Sequence, residues 1–301
     1  MPYILALLVL CATLASSGAH ADDLTGALKK IKETKVLTIG APDANVPFSY
    51  LDDNQEHIGY SIDLCRKIAD ALRVKLGLDK LEIRTRSVTG ATRIPLIQNG
   101  SIDIDCDSAT NNLKREEQVA FAPTDFIATA RLVAKKSSSI KSLTDLKGKR
   151  VVSTNGSANL EQIIALNREQ NLGMTVMTSK DHAEGFLMVA TDRAVAFAMD
   201  DILVAALIAN SKNPSEYAIT SQVMSIEPSG FILRRDDPSF KKAVDEALSA
   251  IYRSGDIDAI YAKWFISPIP PKGVNLNFPM TEQLKKAFAH PTDSGNPDDY
   301  K

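Results

Sequence analysis

Few side chains in this sequence are spaced to make or break bonds. The four histidines (His20, His57, His182 and His290) fall at none of the intervals that would hold a metal ion. No H-E-x-x-H, G-x-S-x-G, P-loop or G-x-G-x-x-G stretch occurs, which lowers the expectation of catalysis and implies no metal or cofactor. What the chain carries instead is polar groups at the ends of elements. Ser108 and Thr110 follow a strand, and Asp200 ends another. Gly156 lets backbone approach closely, and Ser157 and Ala158 then open a helix whose first N–H groups suit an anion.

The elements that must hold these groups alternate between strand and helix. Val36–Ile39 reads as a strand ending at Gly40, after a short helical lead over Leu24–Ile31. Ile62, Cys65, Ile68, Ala69 and Leu72 share one face of a helix over about 61–72. Leu81–Thr85 alternates as a strand, Arg93–Gln98 is a short helix closed by Asn99-Gly100, and Ile102–Ile104 begins a third strand. The order then recurs with strands at Val151-Val152, Met174–Met177 and Ala194–Met199, and a helix through Leu160, Ile163, Ile164 and Leu166. A long helix follows Asp237 as its cap, with Pro238 in the first turn, and breaks at Gly255. Alternation of this kind predicts an α/β fold of two units, each a mostly parallel sheet flanked by helices, hinged by short extended strands rather than a flexible linker.

Composition narrows the setting. With 301 residues, 44% hydrophobic and 24% charged, the chain can bury ordinary cores in about two domains. A net charge of -2 and a pI near 6.1 argue against a nucleic-acid partner. The apolar run Ile4–Leu14 is too short to span a bilayer, and Ala19-His20-Ala21 before Asp22 is an A-x-A type cleavage site. Residues 1–21 are therefore read as a secretory signal peptide, although Met1-Pro2-Tyr3 lacks the usual Lys or Arg. A lipid anchor on Cys11 is disfavoured by bulky Leu10 before it. The two remaining cysteines, Cys65 and Cys106, are expected as buried small hydrophobes, with pairing left open because a disulfide needs Cα atoms within roughly 7 Å.

Several stretches carry a resemblance. They include VPFSY at 46–50, GYSIDL at 59–64, RIPLIQNG at 93–100 and SATNN at 108–112. Further along come DLKGK at 145–149, NGS at 155–157, KDH at 180–182, RAVAF at 193–197 with Asp200-Asp201, KWF at 263–265 and PIPP at 268–271. Each is weak alone, but in this order and spacing the chain resembles the amino-acid class of bacterial extracellular solute-binding proteins, family 3, most closely its glutamate/aspartate-binding branch. The resemblance implies a two-lobed, type II periplasmic-binding-protein-like fold. Lobe 1 would take 22–128 and 229–285, lobe 2 would take 129–228, and 286–301 would be a flexible tail. It also implies a monomer in the periplasm that binds a free amino acid and delivers it to the membrane permease of an ABC importer. Closure would turn on hinges near Ala128–Val133 and Met224–Gly230.

By the same resemblance Arg93 is the guanidinium for the ligand's α-carboxylate, supported by Ser108 and Thr110 and by the N–H groups at Ser157 and Ala158. Asp200, or its neighbour Asp201, would accept from the α-ammonium. His182 would touch the side chain, and Phe48 and Tyr50 would supply apolar wall, while Trp264 belongs to the core. Two positions depart from the branch. Pro42 stands where an arginine holds the distal carboxylate, and Gly90 where a serine precedes the binding arginine. Either Lys180 or a protonated His182 compensates, or the ligand is not acidic. Cys106 matches a family cysteine whose partner position is Phe231 here, so only Cys65 remains to pair with it. Two other readings compete with this one: an exported enzyme of the cyclohexadienyl dehydratase type on the same fold, which would need an acid/base group in the cleft, and a sensory lobe, which would need a membrane span or signalling domain.

Overall fold

The computed structural model describes residues 24–301. The expected signal peptide, residues 1–21, lies outside the described residues. The chain opens with α1 (Gly26–Thr34) and β1 (Val36–Ala41), where alternate Leu37 and Ile39 are buried. A small antiparallel sheet follows, made of β2 (Ala44–Asn45), β3 (Ser49–Leu51) and β4 (His57–Ile58). Helix α2 (Tyr60–Lys75) buries Leu64, Cys65, Ile68, Ala69 and Leu72, the spacing of a single helical face. Each fully buried Leu or Ile contributes roughly 1.5–3 kcal/mol. After β5 (Glu82–Ser87) come α3 (Arg93–Gln98), β6 (Ile104–Asp105), α4 (Leu113–Glu116) and β7 (Ala120–Phe121).

Strand β8 (Phe126–Lys135) carries the chain into a second sheet. That sheet adds β9 (Arg150–Thr154), α5 (Ala158–Glu169), β10 (Thr175–Ser179), α6 (His182–Ala190), β11 (Ala196–Asp200), α7 (Asp201–Asn210) and β12 (Tyr217–Ile219). The return runs through β13 (Ser225–Ser229) and β14 (Ile232–Leu233), then α8 (Pro238–Ser254), α9 (Asp256–Tyr261) and α10 (Glu282–Ala289). The first sheet has the order β5-β1-β6-β14-β7 and the second β10-β9-β11-β8-β12, with β13 also on β8.

Both sheets are mixed rather than mostly parallel. In the first, β5, β1 and β6 run parallel while β14 returns antiparallel beside β6 and β7. In the second, β9 is parallel to β10 and β11, but β8 is antiparallel to β11, β12 and β13. The reason is that the chain enters and leaves the second sheet along neighbouring strands of opposite sense. The helices α6 and α7 carried no sequence signal. Their text, HAEGFLMVA and DILVAALIAN, is apolar nearly all round, so no amphipathic period marks them.

Two expectations are corrected. Cys65 on α2 and Cys106 after β6 are joined in a disulfide, with Cα atoms 6.3 Å apart, rather than standing as separate buried thiols. Residues 286–301 are not a loose tail. Ala287, Phe288 and Tyr300 are buried, and the Tyr300 hydroxyl is 2.7 Å from Thr124 Oγ1. Asn111 Nδ2 also donates to the Asp293 carbonyl at 2.7 Å, so the polar, proline-bearing end is stitched to the first lobe. Helix α8 is capped as its text predicts, with Asp237 Oδ1 accepting from the Phe240 N–H.

Candidate functional site

Between the two sheets lie two adjoining cavities, and the loops at strand ends supply their walls. Seven of the nine expected residues meet at the first: Arg93, Ser108, Thr110, Ser157, Ala158, His182 and Asp200. Ser108 and Thr110 lie on the loop after β6, where the disulfide at Cys106 fastens that loop to α2. Gly156 has φ +74°, and its backbone lies flat against that of Gly90 from the other lobe. A Cβ on Gly90 would stand 2.8 Å from the Asn155 carbonyl, so a side chain there would obstruct the approach. Ser157 then caps α5, its Oγ accepting from the Leu160 N–H, which leaves the following N–H groups at the cavity wall.

Phe48 and Tyr50 do not join them. Phe48 is fully buried against Phe126, ring centroids 5.0 Å apart, and Tyr50 packs on Trp264 with its hydroxyl donating to the Pro270 carbonyl at 2.8 Å. Both rings gain more in the aromatic core under α2 and α9 than they would beside a polar cleft. Trp264 is core, as expected. Of the adjacent aspartates, Asp200 lines the cavity, whereas Asp201 accepts from the Thr129 N–H and hydroxyl on β8.

The charges of the site are unevenly committed. Arg93 at the start of α3 donates from Nη2 to Asp107 at 2.8 Å, and its Nη1 stands 3.3 Å from Asp105. Burial opposes that charge, but the two carboxylates hold the Arg93 pKa above the ordinary arginine value. Burial, relieved in part by Arg93, lifts Asp105 to about 7. Arg115 differs. Its guanidinium donates only to backbone carbonyls, Thr110 at 2.8 Å and Gly156 at 2.9 Å across the cleft, and among the described residues no carboxylate pairs with it. Burial and then the neighbouring Arg93 push it down to about 10, still a cation at neutral pH. Opposite it, Asp200 accepts from Asn159 Nδ2 at 2.8 Å, and burial with Glu227 nearby raises its carboxyl to about 8. His182 shares a 2.8 Å hydrogen bond between Nδ1 and Thr154 Oγ1, and burial lowers it to about 4. It is neutral at pH 7.

Sequence reasoning missed Arg115, Asp107, Thr154 and Asn159, all of which line the first cavity. A signal existed for Arg115: Asn112 caps the short helix α4, accepting from the Arg115 N–H, and so fixes where that side chain starts. Among the described residues no cluster of three or more His, Cys, Asp or Glu is placed to hold a metal ion, and no helix is long and apolar enough to cross a membrane.

The profile of the bacterial extracellular solute-binding proteins, family 3, matches residues 37–267. The L-glutamate/L-aspartate-binding protein of Pseudomonas aeruginosa is 47% identical over 283 residues, covering 94% of each chain. The glutamate/aspartate import solute-binding protein of Escherichia coli strain K12 is 39% identical over 289 residues, 95% of this chain and 96% of that one. Among solved structures, an ancestral arginine-binding protein bound to arginine superposes with a TM-score of 0.70 at 28% identity, covering 77% of this chain and 98% of that one.

Proposed function

The chain belongs to the bacterial extracellular solute-binding proteins, family 3, and from that premise we propose that it captures a free L-amino acid, glutamate, aspartate or a related polar one, and delivers it to an ABC importer. The observation that carries this reading is an unpaired guanidinium and an aspartate carboxyl brought to one cleft. Arg115, unpaired by any carboxylate among the described residues, lies with the N-terminus of α5 on the same cavity as Asp200. An α-carboxylate would accept from the guanidinium and from the helix N–H groups, while an α-ammonium would donate to Asp200, Ser108 and Thr110. Arg93, already held by two aspartates, borders both cavities and would face the ligand where its side chain leaves the zwitterion.

Contacts from both lobes favour the closed form, because a ligand shifts an equilibrium only by its differential affinity for the two states. Lobe 1 comprises 22–128 with 229–285 and lobe 2 comprises 129–228. The hinges are the paired strands β8 and β13, whose register sets Ala128 opposite Glu227. The protein acts as a monomer in the periplasm, and its closed form docks on the membrane permease. Relatives named as transport binding proteins rather than enzymes disfavour the dehydratase alternative.

Thermal unfolding with each common amino acid tests the reading. One or more should raise the midpoint, since ligand at about a hundredfold over Kd adds about 2.7 kcal/mol. Arg115→Ala should remove the shift, because losing a buried charge partner costs about 2–5 kcal/mol. A shift that survives in Arg115→Ala would contradict the assignment.

A further inference from the structure

The second cavity continues the first on the far side of Arg93, and its charges do not suit a carboxylate. It shares Gly90, Arg93, Asp107, Thr154 and His182 with the first cavity and, among its polar lining, adds Asn45, Lys180 and the carboxylates of Asp43 and Asp181. A ligand carboxylate entering it would need a free cation. Arg93 has both terminal nitrogens turned to Asp105 and Asp107. His182 carries no charge at neutral pH, with Nδ1 already bonded to Thr154. Lys180 lies at the mouth, its side chain 79% exposed and 3.8 Å from Asp181. Asp107 itself is buried and takes a second hydrogen bond from Asn45 Nδ2, so it is fixed where the incoming group would pass.

Two polar atoms on residues lining this cavity are left over. Arg93 Nε is a buried donor and Asn45 Oδ1 a buried acceptor, and among the described residues neither has a hydrogen-bond partner. Asn45 Oδ1 is the acceptor because Nδ2 is spent on Asp107 and Ser108. Buried polar groups without partners cost about 1–3 kcal/mol each, so a ligand that satisfies them gains selectivity.

We propose that Asp107, held against Arg93, makes the side-chain end of this cleft a subsite for a neutral carboxamide rather than a carboxylate. The amide oxygen accepts from the Arg93 guanidinium, and the amide NH2 donates to the Asp107 carboxylate and to Asn45 Oδ1. A carboxylate offers no donor to Asp107 and is repelled by it. A cationic side chain satisfies Asp107 but meets the Arg93 guanidinium beside it. A dipole facing a fixed ion pair matches both partners. The inference rests on the amino-acid-binding reading above and narrows it.

The test is a calorimetric titration at pH 7 of the purified protein with glutamine, asparagine, glutamate, aspartate and arginine. Glutamine or asparagine should bind tightest, by about tenfold or more over its own acid, a difference well within what unpaired buried groups enforce. Asp107→Asn, which keeps the shape and frees Arg93, should narrow or reverse that ratio by about tenfold. If that variant does not fold, Asp107→Gly serves the same comparison. Glutamate or aspartate binding as tightly as its amide, arginine binding tightest, or a ratio unchanged in the Asp107 variants would overturn the proposal. Binding of no amino acid at all would instead overturn the parent reading.

Discussion

On the proposed reading, a ligand ammonium at Asp200 displaces a proton. Burial first, and then Glu227, raise the carboxyl to about 8 in the ligand-free protein, so at pH 7 it is mostly protonated. An ammonium placed against it favours the ionised form. Binding at pH 6–7 should therefore release a proton, detectable as a dependence of the calorimetric heat on buffer ionisation enthalpy. The release should fade above about pH 8 and vanish in Asp200→Asn. Equal heats in all buffers would contradict the role. The sign for stability follows from the same shift. The unfolded chain gives up this proton near the ordinary aspartate value, so the free protein loses stability as pH rises from about 4 to about 8. At this scale the sequence singled out Arg93, Ser108, Thr110, Ser157, Ala158, His182 and Asp200, and these seven line one cavity. Which guanidinium remains free for an anion was not legible there, because pairing of Arg93 with Asp105 and Asp107 is a property of packed geometry.

Elements position these groups through two devices that a sequence conveys unevenly. One is the backbone contact between Gly90 and Gly156, which lets the loop before α3 meet the turn before α5. Gly90→Ala should wedge that contact open, weakening ligand binding by about tenfold or more while leaving the unfolding midpoint of the free protein nearly unchanged. Calorimetry and circular dichroism together read both outcomes, and full affinity in the variant would contradict a closed cleft of this form. The position of Gly90 was visible in the text as a departure from the related branch, but its reason was not, since the partner backbone lies 66 residues away in sequence. The other device is the Cys65–Cys106 disulfide, closing a span of 41 residues. Reduction, or Cys65→Ser with Cys106→Ser, should lower stability by about 2–4 kcal/mol in chemical denaturation. Cysteine spacing could not announce it, because only the tertiary fold brings α2 beside the end of β6.

Across the whole molecule, two mixed sheets meet along a cleft, and β8 and β13 pass between them as an antiparallel pair. Alternation of strand and helix revealed the two α/β units. It did not reveal α6 and α7, whose apolar text lacks a period, or the docking of the C-terminal segment through Tyr300. The cleft sets an unpaired guanidinium and an aspartate on one cavity and a committed ion pair on the next, the arrangement that the proposed reading assigns to the two ends and the side chain of a small zwitterion. The most direct measurement is a calorimetric comparison of the tightest-binding amino acid with its two truncated analogues, one lacking the α-carboxylate and one lacking the α-amine. Removing either group should weaken binding by about a hundredfold or more, the cost of stranding a buried charge. Either analogue binding within about threefold of its parent would contradict the account.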